Sequence, residues 1–160
     1  MKIFIASDHA GFELKEYLKT FLEQKGFGVK DFGAFAKDNE DDYPDFISKA
    51  AKEVSENPEN VRAIVLGGSG QGEAIMANRF SNVRAVVYVG EPKENEDALD
   101  MIKLTREHNN SNVLSLGARF LTNSVAETAV KKWLETDFPA EDRHFRRIEK
   151  IESLSQKYEQ

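Results

Sequence analysis

Short runs of aliphatic and β-branched residues alternate along this chain with longer stretches whose apolar side chains recur at helical spacing. Residues 2–7, 28–32, 61–66, 84–89 and 112–116 read as five short strands, most of them apolar enough to be buried on both faces. In the first intervening stretch, Phe12, Tyr17, Leu18, Phe21 and Leu22 fall largely on one side of a helix, and Gly26 ends the run. Further helices are predicted over 45–55, 73–80, 95–107, 125–136 and 142–157. Strict alternation of strand and helix calls for an α/β fold. The expected form is a single-domain, doubly wound, five-stranded parallel sheet of Rossmann or flavodoxin type, with helices on both faces and a C-terminal helix. Ligands in such folds bind beyond the carboxyl ends of the strands, so the segments after each strand carry the functional reading. Two longer connections, 33–44 and the acidic 91–97, read as loops over that site.

Composition narrows the function. With 160 residues, 40% hydrophobic and 31% charged, the chain suits one globular domain spanning residues 1–160. No apolar run approaches the ~18 residues a membrane helix needs, and the stretch from Met1 to Asp8 turns polar too early for a signal peptide. A cytoplasmic protein with no membrane partner is expected. The chain has no cysteine, which excludes disulfides, thiolate metal sites and a cysteine nucleophile. A net charge of −6 argues against nucleic acid as a partner but permits a small basic pocket for one phosphate.

The most informative segment follows the third strand: Gly67-Gly68-Ser69-Gly70-Gln71-Gly72, running directly into Glu73 and a helix. Glycines let backbone N–H groups approach an anion closely, and a helix start adds partial positive charge. The spacing fails the Rossmann G-x-G-x-x-G, Gln71 breaks G-x-S-x-G, and Glu73 stands where a Walker loop has lysine. A carboxylate there would repel a nucleotide phosphate. It suits proton abstraction beside a carbonyl, with the helix end keeping it ionised while loop amides and Ser69 stabilise developing oxyanion charge. The plainer reading makes Glu73 a favourable first-turn charge and the glycines a tight turn.

Three histidines each stand beside another polar group. Asp8-His9 follows the first strand, where both could touch sugar hydroxyls or where Asp8 could simply cap a helix. His108-Asn109 precedes the fifth strand, in a position to move a proton at a sugar ring oxygen or to be ordinary surface. Arg119 follows the fifth strand, while Arg143 and Arg147, four apart beside His144, share a face of the last helix. Their guanidinium groups suit phosphate oxygens; a solvated basic face pairing with Glu141, Asp142 and Glu149 is the alternative.

Five motifs together, Ser7-Asp8-His9-Ala10-Gly11, Asp42-Tyr43-Pro44, the Gly67 to Asn78 segment, His108-Asn109-x-x-Asn112-Val113 and Arg143-His144-x-x-Arg147, occur in the order found in type B ribose-5-phosphate isomerases, which the chain resembles over nearly its whole length. The resemblance implies interconversion of ribose 5-phosphate and ribulose 5-phosphate through a cis-enediol, with no metal and no organic cofactor. It makes Glu73 the carbon-proton base, with Ser69 and the loop amides of Gly68, Gly70, Gln71 and Gly72 holding the enediolate. Much of the family uses a cysteine six residues earlier; here that position is Gly67, as in the branch using glutamate. By the same resemblance His108 is the ring-opening acid. Asp8, His9 and Asn109 bind the sugar, Tyr43 lines or covers the pocket, and Arg119, Arg143 and Arg147 contact substrate and phosphate. The family forms homodimers, sometimes paired into homotetramers, whose sites combine residues of two subunits. Two features depart from the family pattern: the long acidic stretch 91–107, readable as a lid, and His144, associated more with the cysteine-type members. The alternatives are an isomerase of allose or galactose 6-phosphate and a non-catalytic sugar-phosphate-binding domain.

Overall fold

A computed structural model describes residues 1–90 and 98–158. The elements run β1 (Lys2–Ser7), α1 (Phe12–Gln24), β2 (Gly28–Asp31), α2 (Pro44–Glu56), β3 (Val61–Gly67), α3 (Gln71–Ala77), β4 (Ala85–Tyr88), α4 (Ala98–Asn109), β5 (Val113–Gly117), α5 (Asn123–Glu135) and α6 (Asp142–Tyr158). All five strands are parallel, in the order β2-β1-β3-β5-β4. The predicted acidic loop at 91–97 and the predicted helix start at 95 lie outside the described residues.

Side-chain alternation along each strand divides the core in two. Ile3, Ile5, Ile64, Leu66, Leu114 and Leu116 point to one face, covered by α1, α4 and α5 through Leu18, Leu22, Ile102 and Trp133. Phe4, Ala6, Ala63, Val65 and Val113 point to the other, under Ile47, Ala50, Ala51 and Val54 of α2 and Ala77 of α3. Each large apolar side chain taken fully from water contributes about 1.5–3 kcal/mol. Burial on both faces, as expected from composition, holds for β1, β3 and β5; the edge strands β2 and β4 are partly exposed.

Helix ends follow local chemistry. Two residues past α1, Gly26 takes a left-handed φ of 83° that a Cβ would penalise, as the sequence suggested. At the far end of α4, Asn110 adopts φ 45° and stops the helix. His108 and Asn109 therefore sit in the last turn of α4, where the sequence placed them in the connection to β5. The reason is that Asn110, rather than the histidine, supplies the residue tolerant of left-handed backbone. α6 runs beside α4 and the turn before β4, where Glu152 accepts a hydrogen bond from the Asn82 amide at 3.1 Å and lies 3.7 Å from Arg84. Among the described residues, no helix is long and apolar enough to cross a membrane.

Candidate active site

A cavity of about 350 Å³ opens beyond the carboxyl ends of β1, β3 and β5, lined by Asp8, His9, Ala10, Tyr43, Gly68, Ser69, Gly72, Glu73, Arg119 and Phe120. β1 and β3 are neighbours, so the segments after them meet. Gly11 makes that meeting close: a Cβ there would stand 2.7 Å from the Leu66 backbone. Asp8 turns the chain by accepting the amides of Ala10 and Gly11 at 3.0 and 3.1 Å, while α1 itself starts without a side-chain cap.

The loop after β3 is fixed by β5. The Ala118 amide donates to the Gly67 carbonyl at 2.8 Å and the Arg119 amide to the Gly68 carbonyl at 3.2 Å, which sets the Arg119 guanidinium against Gly68. Gly70 turns the loop with φ 77°, its carbonyl held by the buried Ser115 hydroxyl at 2.6 Å. Gly70 and Gln71 shape this loop without lining the cavity. Tyr43 lies over Gly72, where any Cβ would stand 2.8 Å from its Cζ.

Glu73 is 4% exposed, and its carboxylate occupies the space into which a side chain at Gly67 would project. Burial pushes its pKa above the usual carboxylate value, an effect its own backbone amide opposes and the nearby Asp8 charge reinforces. The helix start, expected from the sequence to favour the ionised form, offsets only part of that rise. α3 has two turns, and the loss of water outweighs what its amides return. A carboxylate tuned upward in a cavity exchanges protons more readily near neutrality than an ordinary one.

Asp41, in the long loop between β2 and α2, was not singled out in the sequence, yet it holds His9. Its Oδ1 accepts from the His9 backbone amide at 3.0 Å and lies 2.6 Å from Nδ1 of the ring. That hydrogen bond raises the His9 pKa against partial desolvation, with Asp8 adding to the rise and Arg119 opposing it. Among the described residues, Asp8, His9 and Asp41 are the grouping that could offer three ligand atoms to a metal ion, within 4.8 Å of one another. Asp8 Oδ1 already accepts two backbone amides, and Asp41 Oδ1 the His9 amide and ring.

The remaining predicted site residues lie elsewhere. His108 and Asn109 end α4 four residues before β5 begins, whereas the cavity lies where β5 finishes. His108 stacks on the buried His144, ring centroids 4.2 Å apart and 9° from parallel. Loss of solvent, and then the His108 and Arg143 charges, press the His144 pKa down. Arg143 and Arg147 are exposed on the first turns of α6, Arg143 bonded to Glu141 at 3.0 Å. One chain thus carries two polar clusters at opposite ends of its sheet.

Residues 3–151 match the family described as Ribose/Galactose Isomerase. The chain belongs to that family. Ribose-5-phosphate isomerase B of Mycolicibacterium paratuberculosis is 38% identical over 149 residues, spanning 93% of this chain and 88% of that one. The Escherichia coli protein of the same name is 34% identical over 98% of this chain and 97% of its own. Among solved structures, ribose-5-phosphate isomerase B of Mycoplasma genitalium with bound ribulose 5-phosphate aligns with TM-score 0.88 and 37% identity, covering 97% of this chain and 96% of that chain. For the Clostridium thermocellum enzyme the TM-score is also 0.88, with 99% of each chain covered. In this Ribose/Galactose Isomerase member the signal that could have exposed Asp41 was the pair Asp41-Asp42 before Tyr43; the first, not the second, turns inward.

Proposed function

We propose that this protein is a cytoplasmic homodimeric aldose–ketose isomerase interconverting ribose 5-phosphate and ribulose 5-phosphate, with residues 1–160 acting as one domain. The observation that carries the reading is the buried Glu73 carboxylate seated over Gly67, in one cavity with Ser69 and the start of the glycine loop. In the forward direction Glu73 takes the proton from C2 of the open-chain aldose. Charge then collects on the C1 oxygen, where Ser69 and loop amides donate to it. A proton moves from the C2 oxygen to the C1 oxygen, and Glu73 returns its proton to C1. No electrons leave the sugar, so the reading calls for no redox cofactor. Asp8, His9 and Tyr43 hold hydroxyls, and Arg119 binds at the charged end.

His108 as ring-opening acid, Asn109 as a sugar contact and Arg143 and Arg147 as phosphate ligands are assigned to a second copy of the chain. The two separated clusters support this: a site assembled between two copies needs each to offer a different end. Exposed apolar side chains accompany both clusters: Phe120 (65%) lines the cavity and Phe145 (50%) follows His144 in α6.

The test is NMR of unlabelled ribose 5-phosphate with purified protein in D₂O. Appearance of ribulose 5-phosphate carrying deuterium at C1 supports the enediol route. No conversion and no exchange with ribose 5-phosphate, allose 6-phosphate or galactose 6-phosphate would leave a binding domain instead.

A further inference from the structure

The His9–Asp41 pair is more than a contact within a loop. The Asp41 side chain is 9% exposed and its Oδ2 is buried without a partner among the described residues, while Oδ1 takes both the amide and the ring nitrogen of His9. A carboxylate so removed from water needs a compensating cation close by. An Nδ1···Oδ1 distance of 2.6 Å is that of a charge-assisted hydrogen bond. With Nδ1 engaged, Nε2 is the atom His9 has left to donate, and its ring lines the cavity with Arg119.

We propose that Asp41 is a positioning residue that keeps His9 doubly protonated and fixed in place, so that the pocket presents an imidazolium beside Arg119 whose Nε2–H donates to a hydroxyl of the anionic sugar phosphate. The idea rests on the isomerase reading for its substrate, though not for its geometry. Asp41 itself stays behind His9 and acts through it. The charged groups around the ring are Asp8 and Asp41, which favour its protonation, and Arg119, which disfavours it; Tyr43 and Glu73 line the same cavity. Without Asp41, His9 would face Arg119 with its largest support gone and would be mostly neutral above its ordinary pKa near 6.5.

Two measurements decide it. The first follows the His9 ring signals by NMR through a pH titration of the ligand-free protein, assigned with His9→Gln. The wild type should titrate above 6.5, and Asp41→Asn, which keeps a hydrogen-bond acceptor but not the charge, should lower the midpoint. A wild-type midpoint at or below 6.5, or no change in the variant, overturns the proposal. The second is steady-state kinetics. At pH 8, Asp41→Asn should raise KM for ribose 5-phosphate roughly tenfold with kcat within about twofold, and the KM ratio should close toward one by pH 5.5, where both forms carry imidazolium. A KM ratio independent of pH, or a loss confined to kcat, counts against it. Asp41→Glu should restore part of the binding, and the wild-type titration decides the matter even where Asp41→Asn does not fold. If the wild type turns over no sugar phosphate, the isomerase reading fails while the titration still judges Asp41.

Discussion

At the residue scale, Glu73 sets function against stability. Its folded pKa is raised, so the stability present below its ordinary value near 4.5 is lost as pH rises through the raised one. Glu73→Gln removes that loss: its melting temperature should match the wild type near pH 4, exceed it as pH rises through the raised value and hold a constant lead above it, while kcat falls by ~10² or more with substrate affinity kept. A kcat unchanged in the variant would deny Glu73 its role as base. Gly67 belongs to the same unit. Since a Cβ there meets the Glu73 carboxylate, the flexible end of that side chain must move, so Gly67→Ala should displace the base and cut kcat at least about tenfold. Sequence spacing pointed to Glu73, but its burial depends on Asp8 and Gly67 closing around it. The His9–Asp41 contact, 32 residues apart, has no local pattern to betray it.

At the scale of elements, the alternation of strands and helices was legible because each central strand is apolar on both faces and each helix on one. The exchange of β4 and β5 in the sheet order was not, since the two strands carry similar short apolar runs and either could sit beside β3. What fastens that region is Arg106, 4% exposed, which donates to the Thr136 carbonyl at 3.1 Å, the Ser111 carbonyl at 2.6 Å and the Asn110 side chain at 2.8 Å. Burial and the neighbouring Arg62 and Arg84 bring its pKa down to about 10, so the guanidinium remains charged at neutral pH. It joins the end of α4, the start of β5 and the segment after α5. Arg106→Met keeps the length but strands three acceptors, and should cost about 2–4 kcal/mol in urea denaturation. A loss below about 1 kcal/mol would mean that water serves those carbonyls equally well.

At the scale of the whole molecule, the proposed site asks for Glu73 from one copy and His108 from another, because α4 delivers His108 to the end of the sheet where β5 begins and β3 delivers Glu73 to the end where β5 stops. The family resemblance anticipated a site shared between two subunits, but the sequence alone does not say which motif each copy contributes. It can be tested by complementation. Glu73→Gln and His108→Ala homodimers should each be nearly inactive. After unfolding and refolding together in equal amounts, half of the dimers should be mixed, and each mixed dimer has one site with both wild-type residues and one with neither. Activity should then recover to about a quarter of the wild-type level. If both residues came from the same chain, every site in the mixture would lack one of them and no activity would return. Recovery near a quarter would therefore establish the shared site together with the dimer it requires.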